Sequence, residues 1–229
     1  MTLAIARKLK KGAWIAADTL FTSNASNIRS KDTGLKIFFL SPDILVSYSG
    51  DPHLAHETIR KAYTSLDGRT CALDFCRALE DNLDEAEIDF LVACGGELSS
   101  LKHGKITHNE PTWIGDQTGF DDFQRHLAKL KEQRSSSDAA APWMINRANL
   151  LIVNRDSLQG SDEQLTEALE FHDALQLVIN DSNHWTVGGE AVLACSTDRG
   201  AGYVSFSRAT SPKLEYSRNM GWNNIDFGT

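Results

Sequence analysis

Apolar residues alternate with small or polar ones from Thr2 to Arg7, and a short apolar run follows from Ala13 to Ala17. A period of two predicts strands. The polar stretch Lys8–Gly12 between them reads as a turn, so the two runs predict an antiparallel hairpin. Folding back over about five turn residues returns Asp18 to the Thr2 end of the partner strand. Lys36–Leu40 and Ile44–Ser49 predict a second hairpin around Ser41-Pro42-Asp43, which returns Gly50 towards Lys36.

Helical spacing takes over after Gly50. Asp51-Pro52 supplies a cap and a proline at the first helical position. Leu54, Ala55, Thr58, Ile59, Ala62, Tyr63 and Leu66 then recur on one face up to Asp67-Gly68. A second helix is expected from Thr70 to Leu83, with Ala72, Phe75, Cys76, Leu79 and Leu83 on its apolar side. Ile88–Cys94 reads as a strand, Ser99–Lys102 and Lys105–Thr107 as a further hairpin, and Trp113-Ile114-Gly115 as the end of that sheet portion. Phe120, Phe123, Leu127 and Leu130 mark a third helix. Ser135-Ser136-Ser137 and the alanines before Pro142 read as a loop. A fourth helix is expected from Asp162 to about Val178. Glu190–Cys195 and Tyr203–Phe206 form a closing hairpin, Leu214–Tyr216 a further strand, and residues 219–229 an unassigned tail. The order strands, two helices, strands, two helices, strands predicts a mixed α+β chain.

Composition narrows the classes. A chain of 229 residues with 41% hydrophobic residues has material for a sizeable core, and its length suits one domain over 1–229. A net charge of −8 argues against a nucleic-acid surface. No run approaches the ~18 apolar residues of a membrane span. The first eight residues lack the apolar region of a signal peptide. Cys71, Cys76, Cys94 and Cys195 are scattered, with no zinc or disulfide spacing. A reducing, cytoplasmic location without metal or cofactor is expected. His53 and His56 are three apart on a helix start but lack completing ligands, so they read as surface residues.

Four residues of the two hairpins converge: Thr2, Asp18, Lys36 and Gly50. A threonine hydroxyl needs a base. If removal of Met1 leaves Thr2 N-terminal, its own α-amine, titrating near ~7.7, can serve. A lysine ammonium beside it disfavours protonation of that amine and stabilises an alkoxide. Asp18 holds the lysine charged, and the Gly50 N–H is placed to meet an oxyanion. Each residue also has a plain reading: Thr2 as an ordinary strand residue, Asp18 as a turn former, Lys36 as a snorkelling surface lysine, Gly50 as a strand-to-helix turn.

Thr2, then Ala16-Ala17-Asp18 with Thr22, then Lys36-Ile37, then Ser49-Gly50-Asp51 resemble the β-type subunits of the proteasome family, including the bacterial ring peptidase that pairs with an unfoldase. Sixteen positions from Thr2 to Asp18 and fourteen from Lys36 to Gly50 match that family's spacing, and a loop at Ser23–Thr33 absorbs a slightly longer middle gap. The resemblance implies an N-terminal-nucleophile (Ntn) hydrolase with a four-layer α-β-β-α sandwich of two antiparallel sheets. It also implies Thr2 as nucleophile, Lys36 and Asp18 as its activating pair, and Gly50 as oxyanion donor. It further implies a ring-like homo-oligomer, a peptide or unfolded-protein substrate, and an ATP-driven unfoldase as partner. A first strand beginning at Thr2 suits a β-type subunit.

Two departures from that pattern stand out. Where the family has a Gly-Ser-Gly-like turn, this chain has Ile114-Gly115-Asp116-Gln117-Thr118-Gly119, leaving Asp116 to hydrogen-bond the amine. Where the family has an aspartate and a serine before its Gly-Gly pair, this chain has His184 and Val187, with Asp181 and Ser182 nearby as substitutes. Two alternatives follow: a non-catalytic scaffold subunit, and an Ntn amidase acting on a small amide.

Overall fold

The computed structural model describes residues 2–9, 12–21, 33–66, 71–83, 87–136, 162–181, 183–184, 186–198 and 200–206. The strands are β1 (Leu3–Leu9), β2 (Gly12–Ala17), β3 (Ile37–Phe39), β4 (Ile44–Ser49), β5 (Asp89–Cys94), β6 (Glu97–Lys102), β7 (Lys105–His108), β8 (Thr112–Gly115), β9 (Val192–Thr197) and β10 (Gly200–Phe206). Among the described residues the helices are α1 (Pro52–Thr64), α2 (Ala72–Asp81), α3 (Gln117–Ser136) and α4 (Asp162–Asn180). Two antiparallel five-stranded sheets result, in the orders β10-β9-β2-β1-β8 and β3-β4-β5-β6-β7.

Strand alternation sorts the side chains into three apolar layers. In β1, Leu3 and Ile5 face one side while Ala4 and Ala6 face the other. The alanine side, with Ile15, Leu45, Leu91, Ala93 and Leu98, forms the layer between the sheets. The small residues let the sheets approach closely. The opposite face of the first sheet packs on α4 through Phe171, Ala174, Leu175 and Val178, and on Phe123 of α3. The outer face of the second sheet packs on α1 and α2 through Ile59, Ala62, Phe75 and Leu79. The architecture is therefore α+β, with a helix pair outside each of two packed sheets.

Both N-terminal hairpins form, with Ala4 opposite Ala17 and Ile37 opposite Ser47. Several boundaries differ from the sequence reading. Asp51 caps α1 by accepting from the amides of His53 and Leu54, and that helix stops at Thr64, two residues before Leu66. Cys71, whose sulfur accepts from the Asp74 amide, starts α2 later than Thr70, and α2 ends at Asp81 with Leu83 beyond it. The third helix continues through Ser135 and Ser136 rather than stopping before them; serine costs a helix only a few tenths of a kcal/mol. The fourth helix runs to Asn180, and the first strand to Leu9.

The larger correction concerns β8. Trp113-Ile114-Gly115 does not extend the sheet of β5–β7 but crosses to the other one and pairs with β1, Leu3 opposite Gly115. Asn109, at φ 56°, redirects the chain at that point, its amide bonded to the Leu98 carbonyl at 2.6 Å. His56 is not a free surface residue either, since its ring lies edge-on to Phe38 and Tyr48 at 5.1 and 5.4 Å. Thr22, the loop at 23–32, Asp67-Gly68, Ser137 to Pro142, Ser182, Leu214–Tyr216 and the tail 219–229 lie outside the described residues. Among the described residues, no helix is long and apolar enough to cross a membrane.

Candidate functional site

Asp18 follows the end of β2, and its buried carboxylate gathers four donors. Its Oδ1 accepts from the Leu3 amide at 3.0 Å. Its Oδ2 accepts from the Leu20 amide at 3.2 Å and the Gly188 amide at 3.1 Å. Lys36 Nζ reaches both oxygens, at 3.0 and 3.1 Å, and also donates to the Leu20 carbonyl. An ammonium has three donors, and here each has an acceptor. The Phe21 ring centroid lies 5.4 Å from the same nitrogen.

Lys36 is 2% exposed and Asp18 fully buried, so the lysine is not the surface residue its type predicts. It lies just ahead of β3 rather than as its first residue. Burial pushes the pKa of the Lys36 ammonium down, and the Asp18 charge and hydrogen bond oppose that shift. The Leu3 amide and the Lys36 ammonium share Asp18 Oδ1, each at 3.0 Å. The cation and the start of β1, where Thr2 lies 5% exposed, therefore meet on one carboxylate.

The Thr2 backbone is held from the other side. Its carbonyl accepts from the Asp116 amide at 2.8 Å. A Cβ on Gly115, at φ 95°, would stand 1.7 Å from that same carbonyl oxygen and 3.1 Å from Ser49 Oγ. Gly115 is therefore the gap through which β8, the end of β4 and the start of β1 come together. Gly50 follows Ser49 at φ 134°, and a Cβ there would meet the Glu87 carbonyl at 2.9 Å. Its local conformation is sufficient reason for a glycine.

Asp116 meets Thr2 through its backbone. Its carboxylate instead caps α3, accepting from the Gly119 amide at 2.8 Å and the Thr118 hydroxyl at 2.7 Å. The Thr186 hydroxyl donates to the second oxygen. Burial works to raise the Asp116 pKa, but the bonds from Thr186, Gly119 and Thr118, with the nearby His184, outweigh it and hold the group low. A depressed folded pKa gives stability that is complete above the ordinary value of 3.8 and is lost as pH falls through the folded value. Asp116→Asn should therefore flatten the acid limb of the stability curve, read by circular dichroism from about pH 5 to 2. An unchanged limb would show that Asp116 does not carry it.

Val187 packs in the apolar layer with Leu3, Phe123 and Phe171, fully buried. His184 turns to α3, its Nε2 2.8 Å from Asp122 Oδ2, and Arg125 bridges the other oxygen of Asp122. The donor atoms of Asp122, Asp181 and His184 lie within 4.8 Å of one another, a grouping that spacing along the chain did not reveal. Asp181 is turned to the Asn183 amide at 3.0 Å.

The fold thus brings Asp18, Lys36 and the start of β1 next to Thr2 to one place, with Gly50 at the end of the strand whose Ser49 reaches Gly115. Sequence reasoning missed Thr186 and the Leu20 carbonyl, and it quoted Gly115 and the Gly188-Gly189 pair without giving either a contact. The Thr186-Val187-Gly188-Gly189 run was the available signal, with its hydroxyl one place from where it was sought. Compared with known proteins, the chain matches no family model and no curated protein.

Proposed function

We propose that this chain is an N-terminal-nucleophile hydrolase, a proteasome-like threonine peptidase acting through Thr2 once Met1 is removed. The observation that carries the proposal is the buried Lys36 ammonium on a carboxylate that also holds the Leu3 amide. A buried ion pair is an expensive way to stabilise a sheet, since desolvation offsets most of its attraction. Its position beside the first residues of β1 supports a chemical use.

In the proposed reaction the Thr2 Oγ bonds to a peptide carbonyl carbon while its proton passes to the Thr2 α-amine. The C–N bond then breaks, and the amine returns the proton to the leaving nitrogen. Water, losing a proton to the same amine, cleaves the resulting ester and frees the hydroxyl. Lys36 disfavours protonation of that amine and stabilises the alkoxide by charge, Asp18 orients Lys36, and the Gly50 N–H receives the oxyanion. The proposal extends to the four-layer Ntn fold, a closed homo-oligomeric ring in the cytoplasm, unfolded polypeptide as substrate and an ATP-driven unfoldase as partner.

The experiment is intact-mass analysis joined to a fluorogenic peptide assay. Loss of Met1, with turnover abolished in Thr2→Ala at unchanged circular dichroism, is the expected outcome. Retained Met1 without turnover would refute it in favour of a non-catalytic scaffold, the reading favoured by Val187 lying in the core and by the Asp116 carboxylate serving as a helix cap. Turnover of small amides by a species too small to enclose a chamber would identify an amidase.

A further inference from the structure

Between α4 and β9, the described residues 183–184 and 186–191 lie in neither helix nor strand and are tied to their surroundings by side-chain and backbone bonds. The His184 amide donates to the Asp181 carbonyl at 3.3 Å, and its ring, 6% exposed, meets Asp122 at 2.8 Å. Two residues on, Thr186 donates to Asp116. Two further on, Gly188 donates to Asp18 at 3.1 Å, while its carbonyl accepts from the amides of Thr19 and Leu20 at 3.2 and 3.0 Å. The Glu190 amide then bonds to Thr19 Oγ1 at 2.8 Å. Gly189 has to be a glycine, because a Cβ there, at φ 78°, would stand 2.3 Å from that hydroxyl.

Both ends of the candidate site hang on this stretch. Through Asp116, whose amide holds the Thr2 carbonyl at 2.8 Å, it reaches the nucleophile's backbone. Through Asp18 it reaches Lys36. Asp116 and Asp122 belong to one rigid unit, the N-cap and second turn of α3. The stretch is therefore fixed to α3 at two points, and neither a slide nor a rotation along the helix leaves both bonds intact. An ionised carboxylate only accepts, so the imidazole Nε2–H is the donor. The same bond is the largest cause that holds the Asp122 carboxyl low.

We infer that His184 and Asp122 are positioning residues: their bond places residues 186–190 so that Gly188 meets Asp18 and Thr186 meets Asp116. This rests on the proposed hydrolase reading for its catalytic consequence, though not for its structural one. It also gives the two departures a common account. The hydroxyl next to position 187, on Thr186, goes to the Asp116 carboxylate, and position 184 bonds to Asp122 of α3.

The test uses full-length protein carrying His184→Leu, Asp122→Ala, the double variant and His184→Gln, which keeps an N–H donor. For the enzyme, kcat should fall about tenfold at unchanged KM, as expected for a sub-ångström misplacement of catalytic groups. The two single losses should match the double loss, and His184→Gln should recover most of the rate. Independently of turnover, ¹⁵N-glycine labelling should show a shifted, faster-exchanging Gly188 amide in the leucine and alanine variants, with Gly104 on the β6–β7 turn unmoved. A Gly188 signal that ignores both variants would overturn the inference, as would additive losses. A Gly188 response in a protein without turnover would uphold the positioning role while removing the hydrolase reading.

Discussion

Lys36→Met should cost the fold about 3–5 kcal/mol, because it strands the Asp18 carboxylate in the interior without its counter-charge. The methionine replaces the buried stem at nearly the same volume, so the loss reports the charge and not a cavity. Asp18 would keep its three backbone donors, Leu3, Leu20 and Gly188, which lessens the loss without removing it. The Leu20 carbonyl would lose its side-chain donor as well. Adding Asp18→Asn to Lys36→Met should restore part of the stability, since a neutral amide no longer demands a cation and its one oxygen still accepts from the Leu20 and Gly188 amides, while its NH2 group facing the Leu3 amide keeps the recovery incomplete. Urea denaturation of the four proteins of this cycle measures the coupling. A double variant as unstable as the sum of the singles would mean that the two groups act separately. Peptide turnover, in contrast, should stay absent in the double variant, because the proposed chemistry needs the cation itself.

Gly115→Ala is the second change with a large expected effect. Its Cβ would lie 1.7 Å from the Thr2 carbonyl oxygen and 2.6 Å from the carbonyl carbon, so backbone has to move. The φ of 95° adds strain of about 1–3 kcal/mol for any L side chain. Overpacking adds a further ~1–3 kcal/mol. Relief comes by pushing β8 from β1 at the Leu3–Gly115 pair, which breaks the bond from the Asp116 amide to Thr2. We expect a lowered melting temperature and loss of peptide turnover together. Gly104→Ala is the control, since it shares a positive φ, 69°, but its Cβ would meet nothing. It should cost only the strain. Equal losses in the two variants would show that crowding against Thr2 contributes nothing.

Much of the architecture was open to reading along the chain. The alternating run of β1 and the short apolar runs of β2, β4 and β5 are carried by neighbouring residues, and so they are local properties of the chain. The Asp51-Pro52 start of α1 is likewise local, a side chain bonding to amides two and three residues on. Helix ends were less legible. The Cys71 cap and the run of α3 through Ser136 depend on weak preferences that packing easily overrides. The assignment of β8 could not be read at all, because a four-residue strand carries no mark of which sheet it will join.

The candidate site divides in the same way. Thr2, Asp18, Lys36 and Gly50 were named from residue type, spacing and the return of two hairpins, all properties of the chain order. What lysine 36 would become was not, because its type argues for the surface, and only the stacking of two sheets removes its water. Gly188 and Leu20 carry no chemical label, since they contribute only backbone groups, and the Thr186 hydroxyl lies one place from where it was sought. Gly188 and Leu20 matter because a strand end, a turn and the stretch before β9, up to 170 positions apart, were brought within hydrogen-bond reach of the Asp18 carboxylate, while Thr186 meets that of Asp116. Hydrophobic periodicity decides which residues are inside, and it is carried by the sequence alone. Which buried polar groups find one another depends on how the layers stack, and that is set by long-range packing that no local pattern encodes.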